Sequence, residues 1–134
     1  MEPNLTPQDR SALAAFAEKV IAHDGGQVRA IILFGSKARG VAHPESDTDV
    51  LVLCDSDDPE TKRRFWRLAF DVLLDCGAYL SVRAMSLARW RDLAARRPQL
   101  YANLVRDGII VYAHPDTPLP EFTAASDALA PIAV

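Results

Sequence analysis

Leu33-Phe34-Gly35-Ser36-Lys37-Ala38-Arg39-Gly40 and, after a short polar loop, Ser46-Asp47-Thr48-Asp49-Val50-Leu51-Val52 are the stretch around which this 134-residue chain is arranged. An apolar run from Ala30 ends in a Gly-Ser turn, and a second run, Val50 to Leu53, opens with two acids one residue apart. On a strand, side chains at i and i+2 leave the same face about 7 Å apart at the backbone, so Asp47 and Asp49 aim two carboxylates at one point. Anions that close repel unless a cation lies between them, and hard oxygen ligands favour Mg²⁺ or Mn²⁺. Gly35 lets the backbone approach a phosphate with no Cβ in the way. Ser36 adds a hydroxyl, and a helix beginning there would offer free N–H groups to an anion. A metal beside an anion cradle points to a nucleoside triphosphate. The plainer reading of the same residues is a tight turn after one strand and an acidic cap before the next.

Gly35-Ser36, ten residues, then Asp47-x-Asp49, within the fuller pattern Gly-Ser-x-Ala-Arg-Gly and Ser-Asp-x-Asp, resembles the minimal nucleotidyltransferases of the DNA polymerase β superfamily. The motif spans roughly Ile31 to Leu53, and the two halves agree in residue type, spacing and flanking strands. The resemblance implies that Gly35 and Ser36 hold the triphosphate, with Ser36, Asp47 and Asp49 as the catalytic set and Asp47 and Asp49 as the metal ligands. Lys37 and Arg39 are the nearest cations to the phosphates, although Arg39 could equally pair with a carboxylate. ATP is the nucleotide the resemblance favours. Small stand-alone domains of this family pair with helical HEPN-type proteins, and some act as antitoxins that adenylylate a tyrosine of that partner.

Length and composition bound these readings. The chain is long enough for one domain with a real core and too short for a second domain to hold an acceptor. Hydrophobic residues make up 49%, charged residues 25%, and the net charge is -3, so bulk electrostatics do not advertise nucleic acid as a direct partner. No apolar run has the length of a membrane span, and the expected compartment is the cytoplasm. Cys54 and Cys76 have no metal-like spacing and read as buried thiols. His23, His43 and His114 fall at element ends or loops, and His43 is close enough in sequence to the acids to touch a phosphate.

The expected fold is α/β, a small mixed sheet of three to four strands flanked by helices, in a single domain over 1–113 with a Pro-rich tail over 114–134. Thr6-Pro7-Gln8-Asp9 starts a helix that carries Leu13, Phe16, Ala17, Val20 and Ile21 on one face and stops at Gly25-Gly26. Val28 to Phe34 is a β-branched, non-alternating run, which predicts a central strand. Asp55-Ser56-Asp57-Asp58-Pro59 tempts as a second metal cluster but lacks the glycine and distal glutamate of a calcium loop, and Asp58 reads better as the N-cap of a helix from Pro59 to Cys76. That helix turns Phe65, Leu68, Ala69, Val72 and Leu73 inward. Its basic residues, Lys62, Arg63, Arg64 and Arg67, form a solvated face or meet an anionic ligand.

The third strand, Tyr79 to Met85, departs from the family pattern. Many members carry a third carboxylate there, opposite the Asp pair; this chain has none, and Ser81 or Arg83 would stand at the facing position. A cation there weakens a second metal. Hence two alternatives to a protein-directed transferase stay open: a non-catalytic module that binds a nucleotide or masks a partner, and a small-molecule nucleotidyltransferase of the antibiotic-modifying kind. Further on, Ser86 caps a helix to Arg97, Pro98 begins another that closes at Gly108, and Ile109 to Tyr112 adds a strand at the sheet edge. From His114 onward, prolines predict a loose tail or a surface wrap.

Overall fold

The computed structural model describes residues 5–24, 27–35, 47–117 and 119–122. Their order is α1 (Pro7–Asp24), β1 (Val28–Phe34), β2 (Thr48–Cys54), α2 (Pro59–Cys76), β3 (Leu80–Ser86), α3 (Leu87–Arg96), α4 (Pro98–Asp107) and β4 (Ile109–Ala113). The four strands form one mixed sheet in the order β3-β2-β1-β4. β1 is central and runs antiparallel to both β2 and β4, while β2 and β3 are parallel. A parallel pair needs a long crossover, and α2 supplies it. The expected α/β class and the edge position of the last strand are both found.

Each helix is set by local chemistry. The Thr6 hydroxyl accepts from the Asp9 N–H at 3.0 Å while the Asp9 carboxylate accepts from the Thr6 N–H at 3.1 Å, a reciprocal cap on α1. Asp58 caps α2 by accepting from the Thr61 N–H at 2.8 Å, as its place before Pro59 predicts. Gly77 closes α2 at φ 75°, its N–H donating to the Leu73 carbonyl at 2.8 Å, a left-handed end that only glycine adopts without cost. Ser86 accepts from the Arg89 N–H at 3.2 Å and starts α3.

Both faces of the sheet are covered. On one, Leu13, Phe16 and Val20 of α1 and Phe65 and Val72 of α2 close over Ile31, Leu33, Val50 and Val52. On the other, Trp90 of α3 packs with Ala30, Ile32, Leu51 and Leu53. Among the described residues after His114 there is no helix or strand, yet Leu119 and Phe122 are buried against Trp90, whose ring lies 5.5 Å from that of Phe122. Leu119 and Phe122 thus belong to the core on this face. Within β1 the register with β2 slips between Val28 and Ala30. Arg29, inside that slip, reaches Asp55 with two hydrogen bonds of 2.8 and 3.0 Å.

Candidate active site

Antiparallel pairing of β1 with β2 sets Phe34 directly opposite Asp49, so the end of β1 and the start of β2 converge although loop 36–46 separates them in sequence. Gly35 continues from β1 with φ +80°. Asp47 is exposed just before β2, and Asp49 is half-buried within it. Burial, and then the charge of Asp47, push the Asp49 carboxyl above the ordinary carboxylate range, with Arg83 pulling the other way. A charge that acts on Asp49 in this way is a near neighbour. The structure thus brings together Gly35, Asp47 and Asp49. Ser36, Lys37, Arg39 and His43, also singled out in the sequence, lie outside the described residues.

The strand register answers which residue of β3 faces the pair. Asp49 stands beside Ser81, and Arg83 stands beside Leu51 one pleat further on. Side chains two apart share a face, so Ser81 takes the place nearest Asp49 and Arg83 brings a guanidinium to the same side. Asp49 and Arg83 both line a cleft of about 600 Å³, walled by Leu51 and Met85 and rimmed by Lys62, Trp66 and Arg89. Lys62 belongs to the basic face read from the sequence. Trp66 and Arg89 carry no sequence signal for the site: Trp66 sits where the helical period points to solvent, and Arg89 is one of several arginines on an outward helix face.

Asp55, Asp57 and Asp58 do not form a metal site. Asp55 is held below the ordinary carboxylate range by its hydrogen bonds from Arg29. Asp57 is lowered as well: desolvation works against its charge, but the Ser86 N–H at 3.1 Å and Arg89 at 3.2 Å outweigh it. Asp58 is spent on its cap. Among the described residues no group of three or more His, Cys, Asp and Glu side chains could hold a metal ion. Asp47 and Asp49 remain as a two-carboxylate donor set. Hard oxygen donors, one of them raised by burial and then by the charge of the other, suit a divalent cation, which would offset both.

The family model for the nucleotidyltransferase domain matches residues 13–92, a span running from α1 through both acid-bearing and Arg83-bearing strands to α3, and the chain belongs to that family. A toxin–antitoxin crystal structure with AMP-PNP shares the fold, with a TM-score of 0.51 at 20% identity over 87% of this chain and 84% of that one. A mutant of the toxin–antitoxin pair MntA-HpeT superposes with a TM-score of 0.50 at 19% identity, covering 77% of this chain and 75% of that one. By sequence, the chain is 43% identical over 61 residues to a bifunctional uridylyltransferase/uridylyl-removing enzyme of Pseudomonas savastanoi pv. phaseolicola, covering 42% of this chain and 7% of that protein. The same figures hold for the enzyme of that description in Pseudomonas syringae pv. syringae. The match therefore spans a small part of those much longer relatives. The cysteines form no disulfide, Cys54 being buried and Cys76 half-buried. No helix among the described residues is long and apolar enough to cross a membrane.

Proposed function

We propose that this chain transfers a nucleotidyl group, AMP from ATP, to a hydroxyl acceptor, and that the acceptor is a tyrosine of a HEPN-type toxin for which the chain is the antitoxin. The observation that carries the proposal is the Asp47 and Asp49 pair beside a positive-φ glycine, with Asp49 lining a cleft of about 600 Å³. Family membership and a fold shared with a toxin–antitoxin structure containing AMP-PNP support it.

In this reading Gly35 and Ser36 cradle the triphosphate, and Lys37 and Arg39 neutralise its outer charge. Asp47 and Asp49 would hold Mg²⁺ or Mn²⁺, which supplies Lewis-acid neutralisation of the phosphoryl oxygens. The acceptor oxygen forms a bond to the α-phosphorus, the bond from that phosphorus to the bridging oxygen of the β-phosphate breaks, and pyrophosphate departs. With Ser81 and Arg83 on β3 in place of a carboxylate, the acceptor's proton goes to a base the acceptor brings or to solvent. Arg83 and Lys62 then offer positive charge to an anionic substrate entering the cleft.

A second reading rests on that same β3: a module that binds a nucleotide, or covers a partner, without transferring anything. Transfer of label from α-labelled ATP to the product of a neighbouring gene, in the presence of Mg²⁺, separates the two. Label on the neighbour supports protein-directed transfer. Label on a small hydroxylated compound alone supports the antibiotic-modifying kind, and label from UTP in preference to ATP corrects the nucleotide.

A further inference from the structure

The solvent face of α2 is apolar where a solitary surface helix would be polar. Trp66, Phe70 and Leu74 recur every four residues and are more than half exposed, at 53, 55 and 68%, and Tyr79 just beyond the helix joins them at 56%. They form one stripe, since residues four apart lie one above the other on a helix. Contiguous exposed apolar side chains of this size mark an interaction surface. A groove of about 230 Å³ runs between Trp66, Phe70, Tyr79 and Ser81, where α2 meets the outer edge of β3. The strand edge itself is partly taken, because the Trp66 indole N–H donates to the Val82 carbonyl at 3.0 Å. Side-chain packing on α2, rather than extension of the sheet, is what this surface offers.

The charges beside the stripe say what fits on it. Arg63 and Arg67 belong to the first half of α2, Asp71 and Asp75 to the second half, and Arg67 and Asp71 lie on the same flank of the stripe. Such a helix is complementary to itself when reversed. If a two-fold axis passes at Phe70, Trp66 of one copy meets Leu74 of the other and Phe70 meets Phe70. Arg67 then falls at the level of residue 73 of the second copy, about 3 Å along the axis from Asp71, whereas Asp75 is held by Lys19 of its own copy at 3.6 Å. In antiparallel helix pairs like flanks face one another, so the Arg67 flank meets the Asp71 flank.

We propose that this chain self-associates as a two-fold dimer through antiparallel packing of α2 on α2, centred on Phe70. This inference does not depend on the nucleotidyl-transfer reading. An isologous contact of this kind closes on itself.

Sedimentation velocity of the full chain over a range of concentrations tests it. The expected result is a concentration-dependent dimer that Phe70→Glu converts to monomer with an unchanged circular dichroism spectrum. Arg67→Asp and Asp71→Arg should each weaken the dimer by roughly tenfold, the scale of close interfacial charge pairs, and the double variant should recover most of the loss. A wild-type chain that stays monomeric throughout, a dimer indifferent to Phe70→Glu, or a double variant no better than the single ones would overturn the proposal. A structured heterologous partner that binds this stripe while the chain alone stays monomeric would overturn it too.

Discussion

A methyl group on the α-carbon of Gly35 would overlap the Oδ2 atom of Asp49. The turn that ends β1 and the acid that opens β2 are therefore fitted to one another at van der Waals range, and the backbone at Gly35, with φ +80°, is one that L side chains rarely adopt. Gly35→Ala combines both faults. We expect a stability loss of about 1–2 kcal/mol from the left-handed backbone. The rate of nucleotidyl transfer should fall about 100-fold, because small misplacements of reacting groups are that costly. Melting temperature and single-turnover rate measured on the same preparation check the two effects separately.

Asp49 gives a pH signature. Burial and the neighbouring Asp47 raise it, so the folded chain binds this proton more tightly than the unfolded chain. Its contribution therefore favours the folded state in acid and is lost as pH rises from the ordinary carboxylate range through the raised folded value. Asp49→Asn removes the buried charge. The variant should melt a few degrees higher than the parent at pH 7, and the gain should disappear below the ordinary carboxylate range. Thermal melts across that range are the measurement; equal melting at pH 7 would mean that Asp49 is not strained by its surroundings.

Arg83 brings a cation to the acid-facing side of β3. Arg83→Asp should tighten divalent-ion binding by roughly tenfold, the sign following from exchange of a repelling for an attracting charge near the site. Isothermal titration with Mn²⁺ reads this directly. Unchanged affinity would place the Arg83 side chain away from the acids despite its register.

Trp90 holds the second face of the sheet. It is 1% exposed, its ring is 5.0 Å from that of Tyr101, and its indole N–H donates to Glu121 at 3.1 Å. Trp90→Ala should cost about 3–5 kcal/mol, read from denaturant unfolding. Phe122→Ala should also destabilise, since the segment after β4 closes the same cluster.

Much of this architecture is legible in the residues. The bounds of β1 follow from a run of apolar and β-branched residues ended by Gly35, and those of α2 from Asp58-Pro59 at one end and Gly77 at the other. The reading that puts both acids on β2 is off by one residue: the strand begins at Thr48 and Asp47 lies just before it, because the ladder with β1 ends at the pair Phe34 and Asp49. Composition alone does not show that. The packing of Leu119 and Phe122 was hidden for a related reason: they lie among prolines with no periodicity, and only the open face beside Trp90 explains their burial. Trp66, Phe70 and Leu74 are hidden in another way. Their spacing is helical, but the stripe formed by Phe65, Leu68, Ala69 and Val72 takes the core, so these apolar residues are left facing outward. At the site, the acid pair and Gly35 were readable from their spacing, whereas the choice between Ser81 and Arg83 needed the strand register.

The central claim is that Asp47 and Asp49 support nucleotidyl transfer. The most direct measurement is transfer of label from α-labelled ATP in the presence of Mg²⁺ to the proposed HEPN-type partner, run with the parent chain and with the Asp47→Asn, Asp49→Asn double variant. The account predicts labelled partner with the parent, none with the double variant, and complex formation intact in both. Label undiminished in the double variant, or a stable complex that the parent chain never labels, would contradict it.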